Sequence, residues 1–488
     1  MTSPSLSAAD TNGVRGSRGK LAQLTAKRIE SDIIRRRWPV GTLLGSEGEL
    51  RERYGVSRAV LREAIRLTEH HQAATMRRGP AGGLVVRAPE PSGATRAMVI
   101  YLESIGTNLE DLIGARLLLE PLAVALAVER VDEQGVEHLR AVLAADDSDL
   151  LHRGRSGHVV HVAIGELSGN PAVALFIEIL AQLTERYSKV TKGGQRAATS
   201  AEMGHEAVNA HRAVVEAIIA GNAARAQFVM QNHLEAMGAW LADQAKMLSY
   251  QGRPSASENV ISGDKLAEVV AERIRQDIRH GDGRVGDVLG SESTLQGRYA
   301  VSRSVLREAI RLLEFHSIAE MRRGPGGGLV VSAPDAEASV ETMSLYLDYR
   351  HIEVRDLLGV QESIELGCLD NVAARINEPG VADRLRGSLL IDECTPESDV
   401  LEAARVFHTE LADLSGNPIL GLFLTVLLEL WERHSAALPV TNPAAGPRAP
   451  ELAAVHAAIV DALLVNDPGL AKNRLRRYLR ALADWWHA

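Results

Sequence analysis

Residues 54–87 read YGVSRAVLREAIRLTEHHQAATMRRGPAGGLVVR, and residues 299–332 read YAVSRSVLREAIRLLEFHSIAEMRRGPGGGLVVS; 25 of the 34 positions are identical at an offset of 245. Within the first copy, Ser57 is placed to cap a helix over Arg58–His70. Val60, Leu61, Ala64, Ile65 and Leu67 form its apolar side. Gly55 suits the positive φ of the tight turn before it. Two short β-like pieces follow, Ala73–Met76 and Leu84–Val86, joined by a Gly-rich tip that begins with Arg77 and Arg78.

Upstream, Leu21, Leu24, Ile29, Ile33 and Ile34 give Lys20–Arg37 a helical spacing, which Trp38-Pro39-Val40-Gly41 stops. Ser46 can cap a second short helix carrying Glu49 and Leu50. Helix, helix, turn, helix and a hairpin with a basic tip is the order of a winged helix-turn-helix. Arg58 and Arg62 are four residues apart and project from one helix face. At the end of a helix entering the major groove, such guanidinium groups reach guanine edges or phosphates. Arg77 and Arg78 suit backbone or minor-groove contacts. Ser302, Arg303, Arg307, Arg322 and Arg323 repeat Ser57, Arg58, Arg62, Arg77 and Arg78.

The repeat extends past these segments. The offset of 245 also pairs Glu120 with Glu365 and His211 with His456, and an offset of 247 pairs His161 through its SGNP with His408 through its own. This period is too long for a solenoid unit and marks duplication of a two-domain protein. The expected layout is a disordered N-terminus (1–19), a winged helix-turn-helix (20–90), a helical sensor (95–247), a Ser/Gly-rich linker (248–263), a second winged helix-turn-helix (264–335) and a second, degenerate sensor (338–488). The fold class is mainly α, with small β wings. The sensor segments read as strings of helices, among them Leu109–Val131, His158–Leu167, Ala172–Lys189, Val208–Ile219 and Ala223–Met247.

The chain of 488 residues carries a net charge of −9, so nucleic-acid contact must come from a local basic surface. Residues 20–90 hold 14 Lys+Arg against 8 Asp+Glu, and residues 265–335 hold 11 against 10, so the second reader attracts DNA less. Two cysteines, Cys368 and Cys394, form no CxxC pair and no disulfide framework. The polar N-terminus and the lack of long apolar runs argue for a cytoplasmic protein, nucleoid-associated when bound, with no membrane partner.

The segments LGSEGELRERYGVSRAVLREAIRLTE and LGSESTLQGRYAVSRSVLREAIRLLE resemble the DNA-binding domain of the GntR family of bacterial repressors, roughly LPSE-x-x-LA-x-x-x-GVSR-x-x-VREAL-x-x-L. The resemblance implies DNA contact by Arg58, Arg62, Arg303 and Arg307. Two departures stand out. The Pro of LPSE is Gly45 and Gly290, and a DNA-contacting Arg of the second helix is Gly48 and Ser293.

His161, His211 and His233 lie on three helices and can form an N3 metal site in a bundle core. A lone buried His is usually a hydrogen-bonded core residue; three at this spacing resemble the FCD sensor of the FadR-like subfamily. That resemblance implies a divalent metal such as zinc on an Asp and three His, with an Arg, here Arg116 of the Arg116–Glu120 pair, holding a small carboxylate effector. The Asp position is Gly157 in one copy and Ala404 in the other; water, effector or His158 is left to supply a fourth ligand in the first. In the second copy the third His is Tyr478 and the Arg is Gln361, so no metal is expected there.

The implied function is a sequence-specific, ligand-responsive transcriptional regulator, a repressor by resemblance, acting on a pseudo-palindromic double-stranded operator. Its two readers are joined as an intramolecular pseudo-dimer or, in two chains, as a homodimer. Two rival readings are a metal-dependent enzyme and a non-specific architectural DNA binder. The first lacks HExxH and a nucleophile elbow. The groove-reading arginines argue against the second.

Overall fold

The computed structural model describes residues 9–487 apart from 80–81, 154–157, 192–196, 252–265, 281–282, 316, 323, 325–326, 334, 393–394 and 438–448. The first half runs α1 (Ala9–Arg35), β1 (Leu43–Gly45), α2 (Glu47–Tyr54), α3 (Arg58–His70), β2 (Ala74–Arg77), β3 (Gly83–Val86), α4 (Pro91–Ser104), α5 (Leu109–Arg130), α6 (Glu133–Arg153), α7 (Val159–Leu167), α8 (Pro171–Thr191), α9 (Ala197–Ile219) and α10 (Ala223–Gln251). The second half repeats this order as α11 (Leu266–His280), β4 (Val288–Gly290), α12 (Glu292–Tyr299), α13 (Arg303–Phe315), β5 (Ala319–Arg322), β6 (Gly328–Val331), α14 (Glu337–Tyr349), α15 (Val354–Arg375), α16 (Val381–Gly387), α17 (Glu397–Leu414), α18 (Pro418–Ala437), α19 (Ala449–Leu464) and α20 (Pro468–His487). Among the described residues no helix is long and apolar enough to cross a membrane.

The first helix begins at Ala9, inside the stretch 1–19 expected to be disordered, and α10 runs to Gln251, into the expected linker 248–263. The remainder of that linker lies outside the described residues. Each wing has a third strand that the sequence did not suggest: β1 pairs with β3, giving the antiparallel order β1-β3-β2, and β4-β6-β5 repeats it. Three residues are too few for an alternating pattern to show.

The chain divides into two compact units, Met1–Thr95 with Glu341–Ile352, and Arg96–Val340 with Glu353–Ala488. In the first unit, Ser46 and Glu49 form a reciprocal capping box on α2, and Gly55 ends that helix at φ 65°. The reader core gathers Ile29, Ile33, Leu50, Leu61, Ala64 and Leu84, and it is completed by Leu345 and Tyr349 of α14. Trp38 stands edge-on to Tyr349 at 5.6 Å and donates its indole N–H to the Arg87 carbonyl at 2.7 Å.

In the second unit the other reader packs Ile274, Leu295, Leu306, Ile310 and Leu329 around Ile100 of α4. Ile100 and Leu345 are equivalent under the offset of 245. Each reader is thus completed by the linker helix of the opposite half.

The same unit holds both sensors, packed through equivalent surfaces. Phe176 of α8 stacks on Phe423 of α18 with ring centres 4.0 Å apart, and both are buried. The SGNP turns have two jobs. Asn170 Oδ1 accepts from Ala172 N–H and Val173 N–H to start α8, while its amide donates to the Asp356 carbonyl at 2.9 Å. Asn417 does the same for α18 and donates to the Asp111 carbonyl at 2.9 Å. Such self-matching contacts are those of a two-fold dimer interface, here within one chain.

Candidate DNA-reading and metal-binding sites

In both readers the recognition helix starts at a serine cap. Ser57 Oγ accepts from Val60 N–H at 3.3 Å and Ser302 Oγ from Val305 N–H at 3.3 Å. Capping uses an oxygen lone pair and leaves the hydroxyl proton able to donate; Ser302 Oγ also lies 3.0 Å from Ser304 Oγ. The paired arginines stand on the exposed first turn and converge on one carboxylate. Arg58 Nε and Arg62 Nε donate to Glu47 Oε1 at 2.8 and 3.0 Å. Arg303 Nε and Arg307 Nε donate to Glu292 Oε1 at 3.0 and 2.7 Å. The Arg58 hydrogen bond, then that of Arg62, holds the Glu47 carboxyl below its usual range, and Arg303 and Arg307 bring Glu292 down to about 2. This Glu, the last letter of GSE in both copies, is not singled out by the sequence pattern; it joins two exposed guanidinium groups at one carboxylate.

Arg77 and Arg78 are exposed at the wing, and Arg322 is exposed and bonded to Glu320 at 2.7 Å; Arg323 lies outside the described residues. Glu69 at the end of α3 accepts from Met76 N–H at 2.7 Å, and Glu314 repeats this with Met321 N–H at 3.0 Å. Recognition helix and wing are therefore tied together in each reader.

In the first sensor, His161 of α7, His211 of α9 and His233 of α10 are buried and face one another. The His161 Nε2 lies 3.1 Å from His211 Nε2 and 3.3 Å from His233 Nε2. His161 Nδ1 is 2.5 Å from Glu120 Oε2, and His211 Nδ1 is 2.7 Å from Asp146 Oδ2. Nδ1–H bonds to carboxylates leave lone pairs on Nε2, and lone pairs pointed together repel unless a cation lies between them. Tetrahedral zinc with bonds of about 2.05 Å places its ligand nitrogens about 3.3 Å apart, close to the spacing here.

The electrostatics favour neutral imidazoles. Burial pushes His161 down to about 4 and His233 well below its usual value. Burial alone would raise the Glu120 carboxyl, but Arg116 and His161 outweigh it and hold it low. Arg116 is buried; its Nε donates to Glu120 Oε1 at 2.5 Å and its Nη1 contacts Thr184 Oγ1 at 3.0 Å and Met237 Sδ at 3.4 Å. Its Nη2 is buried without a hydrogen-bond partner. His158 lies apart from this cluster, half-buried with Nδ1 3.8 Å from Glu185, and the Gly157 position is outside the described residues.

Two family models match the chain, each twice. The model "Bacterial regulatory proteins, gntR family" matches residues 21–82 and 266–329, and the FCD domain matches 111–236 and 356–481. The chain belongs to the GntR family of bacterial regulatory proteins, with paired FCD sensors. It is a DNA-binding transcriptional regulator under metabolite control. It is similar to the HTH-type transcriptional repressor NanR of Escherichia coli K12, 28% identical over 252 residues, which is 46% of this chain and 85% of that protein. NanR of Citrobacter rodentium is 27% identical over 262 residues, covering 49% and 90%. Among solved structures, Streptococcus agalactiae GntR matches 45% of this chain and 99% of its own at 23% identity and a TM-score of 0.33.

Some of the regulator's departures from its family have a structural cause, and nothing in the structure explains Gly48. Gly45 and Gly290 sit at φ 145° and 144°, which proline cannot reach. A Cβ at Gly48 would meet nothing nearer than Ser46 Oγ at 3.9 Å, so the position is open to a side chain. In the second sensor, Gln361 Nε2 donates to Glu365 Oε1 at 2.6 Å while its Oε1 accepts from Trp431 Nε1 at 2.8 Å. Glu365 Oε2 meets His408 Nδ1 at 2.9 Å, and Tyr478 Oη stands 3.4 Å from His408 Nε2. His456 is stacked on Phe407 at 4.0 Å; its Nε2 has no partner, and burial pushes it down to about 3. Ala404, at the aspartate position, is buried.

Proposed function

We propose that this regulator is a repressor whose two readers engage the two half-sites of one pseudo-palindromic operator. Its first sensor alone would hold a divalent metal and, against it, a small carboxylate metabolite. The carrying observation is the convergence of three buried imidazole nitrogens beside a buried Arg116 whose Nη2 has no partner. A buried guanidinium N–H without an acceptor is costly, and a carboxylate is its natural complement. His161, His211 and His233 would hold the metal, zinc by the nitrogen donor set and spacing, and a metal so held supplies an open position for a carboxylate oxygen. Arg116 orients the effector's other oxygen. Glu120 and Asp146 fix the imidazole rings. Both Glu120 oxygens are already engaged, by Arg116 and by His161, so this carboxylate is not available as a base; this supports a sensing rather than an enzymatic role.

At the readers, Arg58 and Arg62, with Arg303 and Arg307, would exchange Glu47 and Glu292 for guanine edges or phosphate, with Ser57 and Ser302 on the backbone and Arg77, Arg78, Arg322 and Arg323 at the wings. Joining both readers in one chain sets the effective concentration of the second by the chain itself. The test is selection of bound duplexes from random DNA. Wild-type protein should yield a site with two unequal half-sites. Alanine at positions 58, 62, 303 and 307 together should abolish selection, and retained selectivity would refute the assignment.

A further inference from the structure

The two readers present opposite charges at the same place on their first helices. In the first reader, Lys27 Nζ lies 3.9 Å from Glu341 Oε2 of α14. Beside it, Glu30, His71 and Glu341 are all buried, each bringing a polar atom within 4.8 Å of the others. In the second reader, Arg275 of α11 bonds both Glu103 of α4 and Glu272, and it is buried. Arg96 Nη1 of α4 donates to Glu268 Oε2 of α11 at 2.8 Å. Under the offset of 245, Lys27, Glu30 and Glu341 correspond to Glu272, Arg275 and Arg96, so all three signs are inverted between the halves. Shape differs too: the Trp38–Tyr349 aromatic pair of the first reader corresponds to Gly283 and Ser104 in the second.

We infer that these residues form an address, so that each reader accepts the linker helix of the opposite half and rejects that of its own. Exchanging the helices would turn the Lys27–Glu341 attraction into an Arg96–Lys27 repulsion in the first reader and the Arg96–Glu268 attraction into a Glu341–Glu268 repulsion in the second. Position 103/348 is acidic in both helices and does not discriminate, and Arg96 beside Glu30 would offset part of the first repulsion. Trp38 would lose its aromatic neighbour. Like charges brought together in a half-buried seam are unfavourable, and discrimination between partners is commonly built from such repulsion. The partner recognised by each reader is therefore the other, non-identical half. Pairing of two first halves or two second halves, which an unmarked duplication would permit, is disfavoured.

The test uses the full chain and hydrogen–deuterium exchange. Arg96→Glu with Glu341→Arg swaps the helix signs and leaves both readers untouched. Exchange in α4, α14 and both reader cores should speed up about tenfold, as expected for several partly buried pairs turned from attraction to repulsion. Adding Lys27→Glu and Glu268→Lys should bring protection back to within about twofold of wild type. The neutral pair Arg96→Gln and Glu341→Gln should cost only about threefold, because it removes attraction without adding repulsion. Wild-type protection in the sign-swapped chain, an equal loss in the neutral one, or no recovery on compensation would each overturn the address. Should the sign-swapped chain unfold, recovery by the compensating pair still decides the matter.

Discussion

The two sensors share one scaffold and finish it in opposite ways. The first brings three imidazoles and one guanidinium to a buried centre and leaves the Arg116 Nη2 without a partner. The second keeps two of the imidazoles but pairs most of the centre internally: Gln361 accepts from the Trp431 indole N–H and donates to Glu365, and Tyr478 leans on His408. An arginine that needs a visitor has become a glutamine satisfied by its neighbours.

That contrast can be sharpened by rebuilding. Tyr478→His returns a third imidazole to the second centre and should raise the zinc bound per chain by one, measured by mass spectrometry under native conditions. No gain would mean that ligand count does not separate the sensors. Arg116→Met in the first sensor leaves the buried Glu120 charge without its main partner and should cost about 3–5 kcal/mol by urea unfolding. The same experiment on Gln361→Met should cost less, about 1–3 kcal/mol, because the buried Glu365 loses a neutral amide donor and not a counter-charge. Equal losses would break the comparison.

Acid loads buried histidines in both sensors, and in the second the effect can be read at one residue. An unfolded His456 takes up a proton near pH 6.5, and the buried one only near pH 3. Across that window the unfolded chain binds more protons, so stability is intact above pH 6.5 and falls as pH drops toward 3. His456→Phe should remove about 3 kcal/mol of the acid loss of the second sensor, read from urea midpoints at pH 7 and pH 4. An unchanged slope would assign the acid loss elsewhere.

The smallest effect lies in the readers. Gly55 and Ala300 occupy the same left-handed turn, at φ 65° and 52°. Ala300→Gly should stabilise the second reader by about 1 kcal/mol, and Gly55→Ala should destabilise the first by a similar amount, in thermal melts.

The reader was legible because its signals are local. The serine caps, the turn glycine and the apolar face of Arg58–His70 lie within a few residues of one another, and helix α3 has the bounds that the spacing predicts. The sensor histidines were legible through resemblance, since their spacing is long and only family likeness joins them. Three features were not legible. Glu47 carries no pattern of its own, and its pairing with Arg58 and Arg62 spans 11 and 15 residues. Asp146 sits 65 residues from His211 in an unremarkable acidic run. The crossed packing of Leu345 and Ile100 depends on which half each helix visits, and no periodicity encodes that.

The central claim is that one sensor of the pair is a metal centre and the other is not. The direct measurement is the zinc content of the purified full chain, with His233→Ala and His408→Ala beside it. One zinc per chain, lost in His233→Ala and kept in His408→Ala, is the predicted result. Two per chain, none, or a loss that follows His408 instead would contradict it.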